Sequence, residues 1–115
     1  MIDKILEISN PMLLGVGIIY MIMGFIMYKF PPKKINGLYG YRTASSMQNQ
    51  EKWNLAQKYG ATTMFKVGIF FLIISFYKFF FNTNENTDLA IGMFIMIVGS
   101  FVMIPIVEKK LKQIP

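Results

Sequence analysis

The stretch ISNPMLLGVGIIYMIMGFIMY, residues 8–28, decides the fold, because it runs for 21 positions without a charge. A helix crossing a hydrocarbon core of about 30 Å needs about 20 mainly apolar residues. Two further runs share this character. Ala61–Phe81 is broken only by Lys66 and Lys78, and Leu89–Val107 has 19 residues with no charge. In lipid, backbone amides must be paired within the spanning segment or around a closed barrel, and so few segments cannot close a barrel. The expected fold is all-α: an integral membrane bundle of three transmembrane helices in a single membrane domain. The expected spans are residues 10–28, 61–81 and 89–107, with a loop over residues 31–60 between the first two.

Composition agrees. Of 115 residues, 54% are hydrophobic, the net charge is +6, and Cys and His are absent. The mean hydropathy is +0.44. These counts exclude a disulfide framework, a thiolate nucleophile, an imidazole base and the usual structural zinc, and they imply no metal and no cofactor. Asn10 suits an N-cap with Pro11 at the first helical position. Pro31-Pro32 should stop the first span, and Pro105 should kink or end the third. The leading segment holds Asp3, Lys4 and Glu7, so the first run does not read as a cleavable signal peptide.

Positive charge sets the orientation. The segment 29–60 holds Lys29, Lys33, Lys34, Arg42, Lys52 and Lys58, and the tail holds Lys109, Lys110 and Lys112. The 82–88 loop has none, and the N-terminal segment has only Lys4. The expectation is a multi-pass membrane protein with its N-terminus outside and its long loop and C-terminus in the cytosol. Each such cation gains about 1 kcal/mol beside an anionic inner leaflet. The basic balance therefore points to membrane lipid as a partner, and not to direct nucleic-acid binding.

Each span carries small residues seven apart: Gly17 and Gly24, Gly68 and Ser75, Gly92 and Gly99. Two helical turns put each pair on one face, where small residues let helices approach closely. The bulky faces, including Phe70, Phe71 and Phe76, should meet lipid or another copy in a homo-oligomer. Lys66 and Lys78 stand about 18 Å apart on a helix and should snorkel to opposite sides. An ion site there would need an acidic partner, and no acid lies inside any predicted span. The same absence argues against a proton-coupled exporter.

The remaining information lies in KKINGLYGYRTASSMQNQEKWNLAQKYG, residues 33–60. Asn36–Thr43 reads as a Gly-rich turn. Ser45 or Ser46 should then cap a short cytosolic interfacial helix ending at Tyr59, with Gly60 as its C′ stop. Trp53, Leu55, Ala56 and Tyr59 would form its apolar face, with Trp53 at the membrane interface. Gln50, Asn54, Gln57 and Lys58 would lie opposite. Two readings of Arg42 stand side by side. With Gly37, Gly40 and a helix N-terminus it forms an anion pocket at headgroup depth. Alternatively it bonds to loop carbonyls or Glu51, with Thr43 and Ser45 as turn and cap residues. Nothing sets a nucleophile beside a base, so no catalytic residue is identified.

Asn36-Gly37-Leu38-Tyr39-Gly40-Tyr41-Arg42-Thr43, then Ser46, Asn49, Trp53 and Ala56-Gln57, resembles the SdpI/YfhL family. Its pattern is N-x-x-x-G-[YF]-R-T after a first span, a Ser or Thr soon after, then N-x-x-x-W-x-x-A-Q before the next span. The resemblance covers nearly the whole chain in span order, and it is to the short form, without the extra N-terminal membrane region of larger members. It implies a non-enzymatic immunity protein that protects a bacterium against a secreted toxic peptide. It also implies, for some members, signalling through a cytosolic repressor held at the membrane. The motif residues it singles out are Asn36, Gly40, Tyr41, Arg42, Thr43, Ser46, Asn49, Trp53 and Ala56. The alternative is a lipid or anion-headgroup binding protein, acting on a phosphorylated lipid, with Arg42 as anion ligand.

Overall fold

The computed structural model describes residues 1–114, all of whose regular structure is helical. Helix α1 spans Ile2–Ile8, α2 Pro11–Lys29, α3 Gln50–Ile74 and α4 Glu85–Leu111. A 3₁₀ segment, Ser75–Phe79, extends α3. Three helices are long and apolar enough to cross a membrane: α2, α3 with its extension, and α4. They form a rod of 50 × 23 × 21 Å, with α3 packed most extensively on α2 and also on α4. The short α1 rests on the 3₁₀ segment and had no counterpart in the expected spans.

The small residues do pack the bundle. A Cβ on Gly17 would stand 2.8 Å from the Gly68 carbonyl, and one on Gly68 would stand 2.7 Å from the Gly17 carbonyl. One on Gly24 would stand 2.8 Å from the Ala61 carbonyl. At these crossings α2 and α3 meet backbone to backbone, which is how helices gain dispersion contact where lipid supplies no hydrophobic drive. Gly99 serves differently: its bare Cα makes room for the Phe71 ring. Phe71 is fully buried and its ring lies 5.4 Å from that of Tyr20. It is therefore core, contrary to the expectation that it faces lipid, whereas Phe70 is exposed.

The interfacial helix expected at 46–59 is not a separate element. Asn49, not Ser46, caps α3, its side chain accepting from the Lys52 N–H at 2.8 Å. The helix then runs through Gly60 without a break. Gly60 is small because the Tyr41 side chain lies against it, 3.1 Å from where a Cβ would be. At 1.5 Å per residue, the 30 residues from Gln50 to Phe79 reach about 45 Å, well beyond a hydrocarbon core of about 30 Å. The first turns of α3 thus extend past the length that a crossing needs, as a continuation of the span packed on the end of α4. Similarly, α4 passes through Pro105 to Leu111.

At the end away from the motif loop, Asn10 joins three helices. Its carboxamide oxygen caps α2 by accepting from the N–H groups of Met12 and Leu13 at 3.1 and 3.4 Å. Its amide donates to the Asp88 carbonyl at 2.7 Å, and its own N–H donates to the Ser75 carbonyl at 2.7 Å. Asp88 lies in the first turn of α4 and is buried. Its carboxylate accepts from the Tyr77 hydroxyl at 2.6 Å and from Thr83, and pairs with the Lys78 ammonium at 2.9 Å. Lys78 therefore has an acidic partner, which the sequence reading denied it. The reason is that α4 starts at Glu85, earlier than the expected span, and brings Asp88 inside the helix.

Candidate functional site

The motif loop is a folded plate held between the base of α3 and the far end of α4. It starts at Asn36, whose carboxamide oxygen accepts from the N–H groups of Leu38 and Tyr39 at 2.9 and 2.8 Å. This is an Asx-type turn, for which Asn is well suited. Gly40 follows with φ +107°, a region L side chains rarely adopt. A Cβ there would also run into the Gln57 carboxamide and the Pro32 ring. Two independent constraints thus require glycine at this position.

Tyr41 is the hinge of the plate. The Gln57 carboxamide accepts from the Tyr41 N–H at 2.7 Å and donates to the Tyr41 carbonyl at 2.8 Å. Gln57 is almost wholly buried, so its amide has both its hydrogen-bonding functions met by one residue. The sequence reading put Gln57 on the polar, outward face. The spacing that could have corrected it is Trp53 to Gln57, i to i+4, which places both on one side of a helix. The Tyr41 hydroxyl reaches the Ile104 carbonyl of α4 at 3.4 Å. Burial, then the negative charge of the nearby Glu108, push the Tyr41 hydroxyl up to about 12, against a smaller opposing effect of Thr43.

The next residues close a compact turn. The Ser46 hydroxyl accepts from the Thr43 N–H at 2.8 Å, and the Thr43 hydroxyl accepts from the Ser46 N–H at 3.2 Å. Ser46 is fully buried and also donates toward the Tyr41 and Thr43 carbonyls. Its hydroxyl is consumed by this turn, which is why the helix begins later. Thr43 donates to Glu108 at 3.3 Å, a second tie to α4. Trp53 is fully buried, with its indole N–H donating to the Pro32 carbonyl at 2.7 Å. It anchors the loop from inside the protein and does not form an exposed apolar face as expected. Ala56 is buried with Val107 and Leu111, beside Tyr41, Leu55 and Tyr59.

Arg42 differs from these. Its side chain is exposed and donates to the Gly37 carbonyl. Leu38, next to Gly37, is 93% exposed. The anion pocket weighed above is not assembled as expected. Gly37 turns a carbonyl, not an N–H, to Arg42, and no helix starts at Ser46. The motif residues thus divide into a framework (Asn36, Gly40, Tyr41, Thr43, Ser46, Asn49, Trp53, Ala56 and Gln57, together with Glu108, which lies outside the motif) and a presented edge of Leu38 and Arg42.

A family model described as the SdpI/YfhL protein family matches residues 33–107, from the motif loop through most of α4. The chain belongs to the SdpI/YfhL family. Among curated relatives it is 34% identical over 100 residues to "Uncharacterized protein YfhL" of Bacillus subtilis (strain 168), covering 87% of this chain and 84% of that protein. No solved structure matches. In this SdpI/YfhL protein the family motif is therefore mainly a device for fastening a loop to two helix ends, and Arg42 is what that loop offers outward.

Proposed function

We propose that this chain is a multi-pass protein of the bacterial plasma membrane that protects the cell against a secreted, membrane-active toxic peptide, as its family resemblance implies. The N-terminus lies outside. The motif loop and C-terminus lie in the cytosol, in accord with the Lys and Arg that crowd residues 29–60 and the tail. The observation that carries the reading is the exposed edge of Leu38 and Arg42 on a loop held against α3 and α4 through Tyr41, Thr43 and Trp53. A rigid loop presenting one aliphatic and one guanidinium group suits contact with another protein, since it loses little entropy on binding. A cytosolic repressor is the partner this edge serves when the protein signals. The protein acts by binding and carries out no reaction.

The test compares survival under a membrane-active peptide toxin for cells making the wild type or Arg42→Ala at equal membrane levels. Arg42 is exposed, so the variant keeps the bundle. Lower survival of Arg42→Ala supports the reading, and equal survival overturns it.

A further inference from the structure

Two apolar grooves flank α3, and Lys66 is the one residue that lines both. The groove between α3 and α4 has a volume of about 670 Å³ and a floor that includes Phe70, Phe94, Ile95 and Val98. The groove between α2 and α3 has a volume of about 350 Å³ and includes Phe25, Tyr28, Lys29 and Phe65. Both volumes fall within the range of small-molecule sites, about 300–1,000 Å³. No acid lines either groove. Lys66 is exposed, and the ion pair among the described residues belongs to Lys78 at the other end of the bundle. With Phe79 taken as the outer end of the crossing, Lys66 lies roughly 20 Å along a core of about 30 Å. Its ammonium must therefore stretch toward the motif end, where Lys29 closes α2.

We propose that Lys66, with Lys29, binds the phosphate of an anionic phospholipid whose acyl chains lie in the two grooves beside α3. Charge complementarity selects this occupant. Apolar walls alone would accept any acyl chain or another helix, but two ammonium groups without a carboxylate call for an anion at the head of an apolar ligand. In a phospholipid the phosphate and the tails come joined at that relative position. The site is separate from the Leu38–Arg42 edge and does not depend on toxin protection.

The test is native mass spectrometry of the full chain in mild detergent, with phosphatidylglycerol or phosphatidylcholine added as the probe and no toxin present. Wild type should retain phosphatidylglycerol in preference to phosphatidylcholine. Lys66→Gln should retain about fivefold less phosphatidylglycerol, the effect of one lost cation–headgroup attraction. Lys66→Arg should retain it, which separates lost charge from lost fold, and Lys34→Gln, in the loop outside both grooves, should match wild type. Equal retention of the two lipids, unchanged retention by Lys66→Gln, or a dimer that excludes lipid would each overturn the proposal.

Discussion

The carboxamide of Gln57 brackets the main chain of Tyr41, accepting its N–H at 2.7 Å and donating to its carbonyl at 2.8 Å. Both bonds sit at a nearly fully buried side chain. Gln57→Leu keeps the volume but leaves the Tyr41 N–H without a partner and the Tyr41 carbonyl with only the Ser46 hydroxyl. An unsatisfied buried group costs about 1–3 kcal/mol, so the variant should lose about that much in a denaturant titration in mixed micelles. The loop should also become sensitive to protease, because Gly40 and Tyr41 lose their seat on α3. A Gln57→Leu protein as stable and as protease-resistant as wild type would show that the bracket contributes nothing.

What was legible in the sequence was what one-dimensional pattern encodes. Long apolar runs mark the three helices able to cross a membrane, and the small residues Gly17, Gly24 and Gly68 mark the faces on which α2 and α3 meet. The cap at Asn10–Pro11 follows from local chemistry alone. What stayed hidden depended on partners distant along the chain. Gly60 reads as a helix stop, and only the Tyr41 side chain lying against it explains a glycine in a continuous helix. Phe71 reads as lipid-facing until Gly99 of another helix is placed opposite it. Asp88 reads as a loop acid until α4 is seen to begin at Glu85. Arg42 reads equally as an anion ligand or as a loop-bonded arginine, and only the folded loop shows its guanidinium on the Gly37 carbonyl.

The glycine crossings predict a contrast within one helix pair. Gly68→Ala would put a methyl 2.7 Å from the Gly17 carbonyl, so α2 and α3 must separate. Overpacking of this kind costs about 1–3 kcal/mol. Gly15→Ala, where a Cβ meets nothing within 4 Å, should instead gain about 0.5–1 kcal/mol from reduced backbone freedom. Thermal unfolding of the two variants in the same detergent should move in opposite directions. A shift of the same sign and size in both would mean that the crossing is not tight.

The Asp88 cluster predicts an order of damage. Asp88 accepts from Tyr77 and Thr83 and pairs with Lys78, whereas among the described residues Lys78 pairs only with Asp88. Asp88→Ala should therefore lower the unfolding temperature more than Lys78→Ala. In the double variant, removing Lys78 should cost less than it does alone, because the ion pair is already gone. Comparable losses for both single variants, with full additivity in the double, would place the stability elsewhere than in this cluster.

Tyr41 predicts a pH dependence at the alkaline end. Its hydroxyl is pushed from 10.0 up to about 12 by burial and by Glu108. Between those values the unfolded chain has released the proton and the folded chain still holds it. The unfolded state binds fewer protons there, so stability falls as pH rises. The contribution is fully present below pH 10 and is lost progressively from about 10 to about 12. Unfolding temperature in detergent should decline over that window, and Tyr41→Phe, which has no proton to lose, should decline less steeply. Because the chain holds five other tyrosines, the difference between the two slopes is the measurement that matters. Parallel slopes for wild type and Tyr41→Phe would mean that the Tyr41–Glu108 contact does not form in the folded protein.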